Sequence, residues 1–236
     1  MYEYLKNKKI MVVVAHPDDE LLGLGGTINK LVNEFSVQTH LVILGEGITS
    51  RSESRNIQLW GNELRIHRSN IKKAQRIIGY HSIGLYDFPD NRFDSVDLLD
   101  LIKVIEKEKQ QFNPSVIFTH HGGDLNIDHQ KTFEAVITSC RPLESELVKT
   151  IITFETPSGT EWRASSDPKQ FVPNLYFQIS NKNLEAKING MECYEYESRP
   201  YPHPRSPEAL RIYAQKNGIS VGMDFAEAFC LIRQIN

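Results

Sequence analysis

Strand-like and helix-like segments alternate from residue 9 to about residue 155, and this predicts an α/β fold: a Rossmann-like, mostly parallel sheet with helices on both faces. The apolar runs are nearly continuous rather than alternating, which fits strands buried on both sides. Polar, chemistry-bearing residues follow each run, as expected where a parallel sheet gathers its site at the carboxyl ends of its strands.

The elements follow in order. KIMVVVA (9–15) is β-branched and apolar, so it reads as a buried strand. In DELLGLGGTINKLVNEF (19–35), Leu21, Leu24, Ile28, Leu31 and Phe35 recur at helical spacing. Gly23, Gly25 and Gly26 depart from a GxGxxG spacing and stand beside acids, so close packing of helix on sheet explains them better than a phosphate loop. THLVILG (39–45) is a second strand, NIKKAQRIIG (70–79) a helix and IGLYDF (83–88) a third strand. VDLLDLIKVIEKEKQQF (96–112) reads as a helix whose EKEKQQ stretch is a solvated face. SVIFTH (115–120), HQKTFEAVITSC (129–140) and TIITFE (150–155) complete the alternation. Beyond residue 155 turn formers dominate TPSGTEWRASSDPKQFVPN, two or three helices follow, and SRPYPHPRSP is a proline-stiffened connection. A single domain over 1–236 is expected, with its core at about 8–155 and residues 156–236 packed on it to shape the substrate site.

Bulk properties narrow the function. The net charge of −3 argues against a nucleic-acid binder that relies on a basic field. No apolar run reaches the roughly 20 residues of a membrane span, and MYEYLKNKKI lacks a signal-peptide apolar stretch. Cys140, Cys193 and Cys230 are dispersed and form no CxxC, which speaks against a disulfide framework and suggests a reducing, cytoplasmic setting. The subunit number is left open and is compatible with a homo-oligomer.

The loops carry the chemistry. The first strand delivers His16, Pro17, Asp18, Asp19 and Glu20, and the second delivers Glu46 and Arg51. Asp87, Asp90 and Arg92 follow the third, and His120, His121, Asp124, Asn126, Asp128 and His129 follow the fourth. So many acids at one sheet edge need compensation, and a divalent cation is the simplest form of it. Imidazole with carboxylate and no thiolate suits zinc or another late first-row metal better than magnesium or calcium. His16 and Asp19, at the turn from strand to helix, can face one centre, and His129 can complete the trio from the fourth loop. Asp18 would remain unligated, free to take a proton from water on the metal. Local hydrogen bonding is expected for His40, His67 and His81.

AHPDDE after a strand, with a later acidic loop ending in Asp-His, resembles the LmbE-like (PIG-L) family of zinc-dependent N-deacetylases. The resemblance implies one zinc ion per chain on His16, Asp19 and His129, with Asp18 as general base and Asp128 supporting the histidines. It also implies removal of an acetyl group from an N-acetylglucosamine-type sugar or its conjugate. Asn126 stands where many members carry a histidine that stabilises the oxyanion; an amide can donate a hydrogen bond there but not a proton. His120, His121, His203 or Asp18 would then supply the proton to the leaving amine. Arg51, Arg68, Asp90, His121 and Trp162 are candidate substrate contacts, each with an ordinary structural alternative. DLNIDH and PSGTEW resemble the branch associated with surface polysaccharides and unusual amino sugars, so the implied substrate is a sugar nucleotide or a glycan precursor. Two rivals stay open: a magnesium-dependent phosphoryl-transfer domain using the strand-end acids, and a non-catalytic sugar-binding module.

Overall fold

The computed structural model describes residues 1–235. Its strands are β1 (Lys9–Val14), β2 (Gln38–Gly45), β3 (Ser82–Phe88), β4 (Val116–His120), β5 (Thr150–Phe154), β6 (Leu175–Gln178) and β7 (Ala226–Gln234). The helices are α1 (Tyr2–Leu5), α2 (Asp19–Phe35), α3 (Gly61–Ile78), α4 (Leu98–Phe112), α5 (Ile127–Ser139), α6 (Asn181–Glu192) and α7 (Pro207–Ile219). The strands form one sheet in the order β3-β2-β1-β4-β5-β7-β6. The four neighbouring pairs from β3 to β5 are parallel, whereas β7 runs antiparallel to both β5 and β6. No described helix is long and apolar enough to cross a membrane.

Alternation along β1 divides the core into two layers. Ile10, Val12 and Val14 pack with Leu21, Ile28, Ile71 and Ile188, on the side of α2, α3 and α6. Met11, Val13 and Ala15 pack with Leu101, Ile105, Ala135 and Val136, on the side of α4 and α5. Both faces are therefore apolar, which is why these strands read as unbroken apolar runs. At Gly23 a Cβ would come within 2.1 Å of the Phe154 ring, so α2 can approach β5 only with glycine there.

The chain order reverses at β1: β2 lies on one side of it and β4 on the other. The loops after β1 and β4 thus part over a crevice at the carboxyl ends, where ligands bind in sheets of this kind.

Three expectations need correction. The C-terminal segment supplies not only α6 and α7 but two antiparallel strands of the same sheet. β7 buries Ala226, Glu227, Ala228, Phe229 and Cys230 in succession, so it shows no period of two, and its glutamate disguises it. α3 begins at Gly61 rather than near residue 70, because its buried stripe includes His67 and Asn70 and so lacks an apolar repeat at its start. In EKEKQQ, Glu108 is buried, accepting hydrogen bonds from His40 Nε2 (2.8 Å) and the Tyr86 hydroxyl.

The C-terminal half is bonded to α2 as well as packed on it. α2 departs from helical geometry at Leu24, which frees backbone groups that must find other partners. Lys187 Nζ donates to Leu22 O (2.9 Å), while Glu227 accepts from Gly26 N (3.2 Å) and Thr27 N (2.6 Å). The two side chains form a buried ion pair at 2.7 Å.

Candidate metal centre and substrate cleft

The turn from β1 into α2 sets the floor of the site. Asp18 caps α2 with φ 100°, a left-handed conformation that costs a non-glycine residue about 1–3 kcal/mol. That turn separates two adjacent carboxylates. Asp18 Oδ2 accepts from Arg205 Nη1 at 2.9 Å, whereas Asp19 faces the histidines. Asp18 N donates to Glu20 Oε2 (3.0 Å), and the Tyr194 hydroxyl donates to Glu20 Oε1 (2.7 Å), so the third acid holds the turn.

Asp19 Oδ2 lies 3.6 Å from His16 Nδ1, and its Oδ1 lies 3.4 Å from His129 Nε2. Donor atoms from these residues all fall within 4.8 Å of one another. Behind each imidazole stands a carboxylate. His16 Nε2 donates to Asp128 Oδ2 (2.8 Å), whose other oxygen accepts from Phe93 N (2.8 Å). His129 Nδ1 lies 3.2 Å from Asp124 Oδ1, off the best hydrogen-bonding direction. Carboxylates in this position orient metal-binding histidines and fix their tautomer. Asp124 was in the converging loop, yet no motif distinguished it from its neighbours.

The electrostatics ask for a cation. Asp18, Asp19, Asp90, Asp124 and Asp128 are all buried, with Arg205 bonded to one of them. Burial opposes protonation of His16, but its hydrogen bonds to Asp128 and Asp19 hold its pKa well above the usual imidazole range. For His129, Asp19 and Asp124 likewise overcome burial and raise the pKa to about 9. Burial also opposes ionisation of Asp19, yet His129 and His120 hold it well below the usual carboxylate range. Without a cation the site recruits protons onto two imidazoles; a divalent ion among two nitrogens and a carboxylate would replace that positive charge. The residues therefore fit a late first-row metal. His16 Nε2, Asp90 and Asp128 form a second close group, but those atoms already pair with one another or with backbone N–H groups.

His120 is fully buried and is not a donor to this centre. Its Nε2 accepts from Ala15 N (3.0 Å), its ring stacks on His129 at 3.9 Å, and burial lowers its pKa to about 4. It supports the His129 ring and does not reach the cleft.

A cleft of about 290 Å³ opens above the floor, with His16, Asp18, Asp90 and Asn126 at its inner end. Its outer wall carries Arg51, Trp162, Glu197, Arg199, His203 and Arg205, so the GTEW and PHPRS segments both reach it. Asn126 caps α5: its Oδ1 accepts from Asp128 N (2.8 Å) and its Nδ2 donates to Asn91 Oδ1 (2.9 Å), leaving a second N–H. Asp90 Oδ2 accepts from Ser50 N (2.9 Å), tying the loop after β3 to the loop after β2. Arg51 Nη2 donates to Glu197 Oε1 (2.6 Å) and to Tyr196 O (3.0 Å).

Two candidate substrate contacts lie elsewhere. Arg68 sits on the outer side of α3, more than half exposed and paired with Asp87 at 2.5 Å. His121 turns away to donate to Lys169 O (2.9 Å) and packs edge-on to Phe171. His67 also differs from expectation: it lines the cleft, but neither ring nitrogen has a hydrogen-bond partner, and burial with nearby Arg51 pushes its pKa down to about 4. His40 and His81 do make local hydrogen bonds, to Ser82 and Thr39. Arg205, which contacts Asp18 and Glu197, was missed because its distance in sequence from AHPDDE concealed the contact.

Comparison with known proteins shows the family of the chain. The chain is 25% identical over 202 residues to the uncharacterized deacetylase YaiS of Escherichia coli, covering 80% of this chain and 92% of the relative. A probable N-acetyl-alpha-D-glucosaminyl L-malate deacetylase 2 of Bacillus anthracis is 24% identical over 218 residues, covering 90% and 83%. Among solved structures, N,N'-diacetylchitobiose deacetylase from Pyrococcus horikoshii shares the fold with a TM-score of 0.75 at 21% identity, covering 98% of this chain and 88% of that one. The family description GlcNAc-PI de-N-acetylase (PIG-L) matches residues 11–140, a span that runs from β1 to the end of α5 and contains both loops of the metal centre. With its histidine and carboxylate donors inside the matched span, the chain belongs to the PIG-L family of de-N-acetylases.

Proposed function

We propose that this protein hydrolyses the acetamide of an N-acetylated amino sugar or its conjugate, with zinc held by His16, Asp19 and His129. One observation carries the reading: three metal-type donors meet within 4.8 Å, one of them, His16, lines the cleft, and a second acid, Asp18, lines it outside the group. When bound there, zinc would supply Lewis acidity toward the amide carbonyl and the attacking water.

The chain's own groups handle protons and charge. Asp18 removes a proton from water as its oxygen bonds to the carbonyl carbon. Burial, with the nearby charges of Glu197, Asp19 and Glu20, raises the pKa of Asp18 well above the usual carboxylate range against the pull of Arg205, which favours a proton acceptor. The free N–H of Asn126 donates to the oxyanion. As the C–N bond breaks, Asp18 returns its proton to the leaving nitrogen, giving acetate and a free amine. Among the other candidates, His120 and His121 are off the cleft, and burial and Arg205 lower the pKa of His203, which disfavours the protonated form that a general acid needs. Arg51, Asp90 and Trp162 would contact the substrate. Three free cysteines support a reducing, cytoplasmic setting.

The test is acetate release from N-acetylated sugars by apo, zinc-loaded and magnesium-loaded protein. Zinc-dependent release supports the reading. Activity with magnesium alone, or sugar binding without release, would overturn it in favour of one of the rivals.

A further inference from the structure

The outer end of the cleft has features that removal of an acetyl group does not require. Trp162 is 53% exposed at the mouth, and its indole N–H has no hydrogen-bond acceptor among the described residues. Its ring meets His203 edge-on, with centroids 5.9 Å apart at 82°. It is nevertheless firmly placed. The short 3-10 turn Thr160–Trp162 that carries it is tied to the inner site, since Thr160 Oγ1 donates to Asp124 Oδ2 (2.6 Å). Glu161 of the same turn accepts from Ser158 N (2.7 Å) and from the Tyr213 hydroxyl (2.9 Å). An exposed indole anchored in this way is a platform, because it contributes little to the core and its orientation is fixed.

Beside it lies a cluster of guanidinium groups. Arg51 and Arg205 both bond Glu197, and Arg205 also bonds Asp18, so these two guanidiniums are matched by two carboxylates. Arg199 adds a third. Its Nη1 is held by Tyr196 O (2.8 Å) and Ser198 O (3.1 Å), and it has no ion-pair partner among the described residues. Arg199 and His203 share a segment punctuated by Pro200, Pro202 and Pro204, which limits the backbone freedom lost on binding. In a chain of net charge −3, a guanidinium at the cleft wall that lacks a carboxylate partner points to an anionic ligand group.

A free monosaccharide would use neither feature, and a neutral second sugar would use the indole alone. A flat ring and an anion on one substituent would use both. We infer that the outer end of the cleft is a subsite for a nucleoside diphosphate, with the base on Trp162 and the phosphates toward Arg199 and Arg51, so that the substrate is a nucleotide-linked N-acetyl amino sugar. The inference rests on the deacetylase reading for its inner end and on Trp162 and Arg199 for its outer end.

Two measurements test it separately. In the first, kcat/KM for acetate release by zinc-loaded protein is compared for UDP-N-acetylglucosamine, N-acetylglucosamine 1-phosphate, N,N'-diacetylchitobiose and N-acetylglucosamine. The expected order begins with the nucleotide sugar, about tenfold above the sugar phosphate, the scale of one base–aromatic stack. Trp162→Ala should collapse that ratio, mainly through KM, while Trp162→Phe restores much of it. Arg199→Gln should reduce the preference of both phosphorylated substrates over chitobiose. In the second measurement, UDP alone is titrated into wild-type, Trp162→Ala and Arg199→Gln protein by calorimetry, after thermal melts confirm folding. UDP binding that needs both residues supports the subsite even where no acetate is released, in which case the deacetylase reading alone fails. Deacetylation of chitobiose at least as efficient as that of the nucleotide sugar, or an absence of UDP binding, overturns the subsite and leaves the deacetylase reading standing.

Discussion

Asn126 has two structural duties that substitution can separate. Its Oδ1 caps α5 by accepting from Asp128 N at 2.8 Å, and its Nδ2 faces the cleft with one N–H given to Asn91 and one left over. Asn126→Ala removes both functions. Loss of a capping side chain costs about 1 kcal/mol, which in a chain of this length lowers Tm by roughly 2–4 °C. Loss of a preorganised donor to the oxyanion costs about 2.7–4 kcal/mol in the transition state, or about 10² to 10³ in kcat. Asn126→Asp keeps an acceptor for Asp128 N, and a negative charge at a helix N-terminus is favoured by about 0.3–1 kcal/mol. It has no N–H to donate and sets a charge against the oxyanion. The aspartate variant should therefore melt closer to wild type than the alanine variant but be at least as poor a catalyst. Melting by scanning fluorimetry and kcat and KM from acetate release give the comparison. An aspartate variant with kcat within about threefold of wild type would refute the donor role. So would an alanine variant that raises KM and leaves kcat intact, since that pattern marks ground-state binding.

His129→Ala should strip most of the zinc while the fold survives; stoichiometric zinc by elemental analysis would remove His129 from the donor set. Asp124→Asn leaves the donors in place but weakens the support of His129, and should lower metal affinity by about 10- to 100-fold in a competition titration. Asp18→Asn should keep the metal and lose about two to four orders of magnitude in kcat, with an active variant sending the proton elsewhere. Burial pushes the Glu20 carboxyl up to about 7, against hydrogen bonds from Tyr194 and Asp18 N that favour its ionised form. Since the folded pKa lies above the unfolded one, ionisation costs the native state nothing below about pH 4 and its full penalty above pH 7, up to about 3 kcal/mol. The stability of Glu20→Gln relative to wild type should accordingly rise between pH 5 and pH 8 in denaturant titrations; a pH-independent difference would contradict it.

Much of this protein was determined locally and could be read from the chain. β1, β2, β4 and β5 are apolar runs because both faces of the sheet are covered, and the apolar spacing of α2 marks it as a helix despite its break at Leu24. His16 and Asp19 are separated by one tight turn, so their convergence follows from local geometry, and AHPDDE advertises it. What lay beyond reach depends on contacts distant in sequence. Arg205 meets Asp18 across 187 residues, Trp162 and His203 join at the rim from separate segments, and Glu227 serves the break in α2 from the opposite end of the chain. No local pattern encodes such pairs, because the partner that neutralises a buried charge or satisfies a freed N–H is chosen by packing. Asp124 and Arg68 show the same limit from two sides. Asp124 stands in a strand-end loop and Arg68 within α3, and only the fold turns one behind His129 and the other toward solvent and Asp87. Chemistry held within a single turn was legible; the shape of the cleft, and therefore the choice of substrate, belongs to tertiary structure.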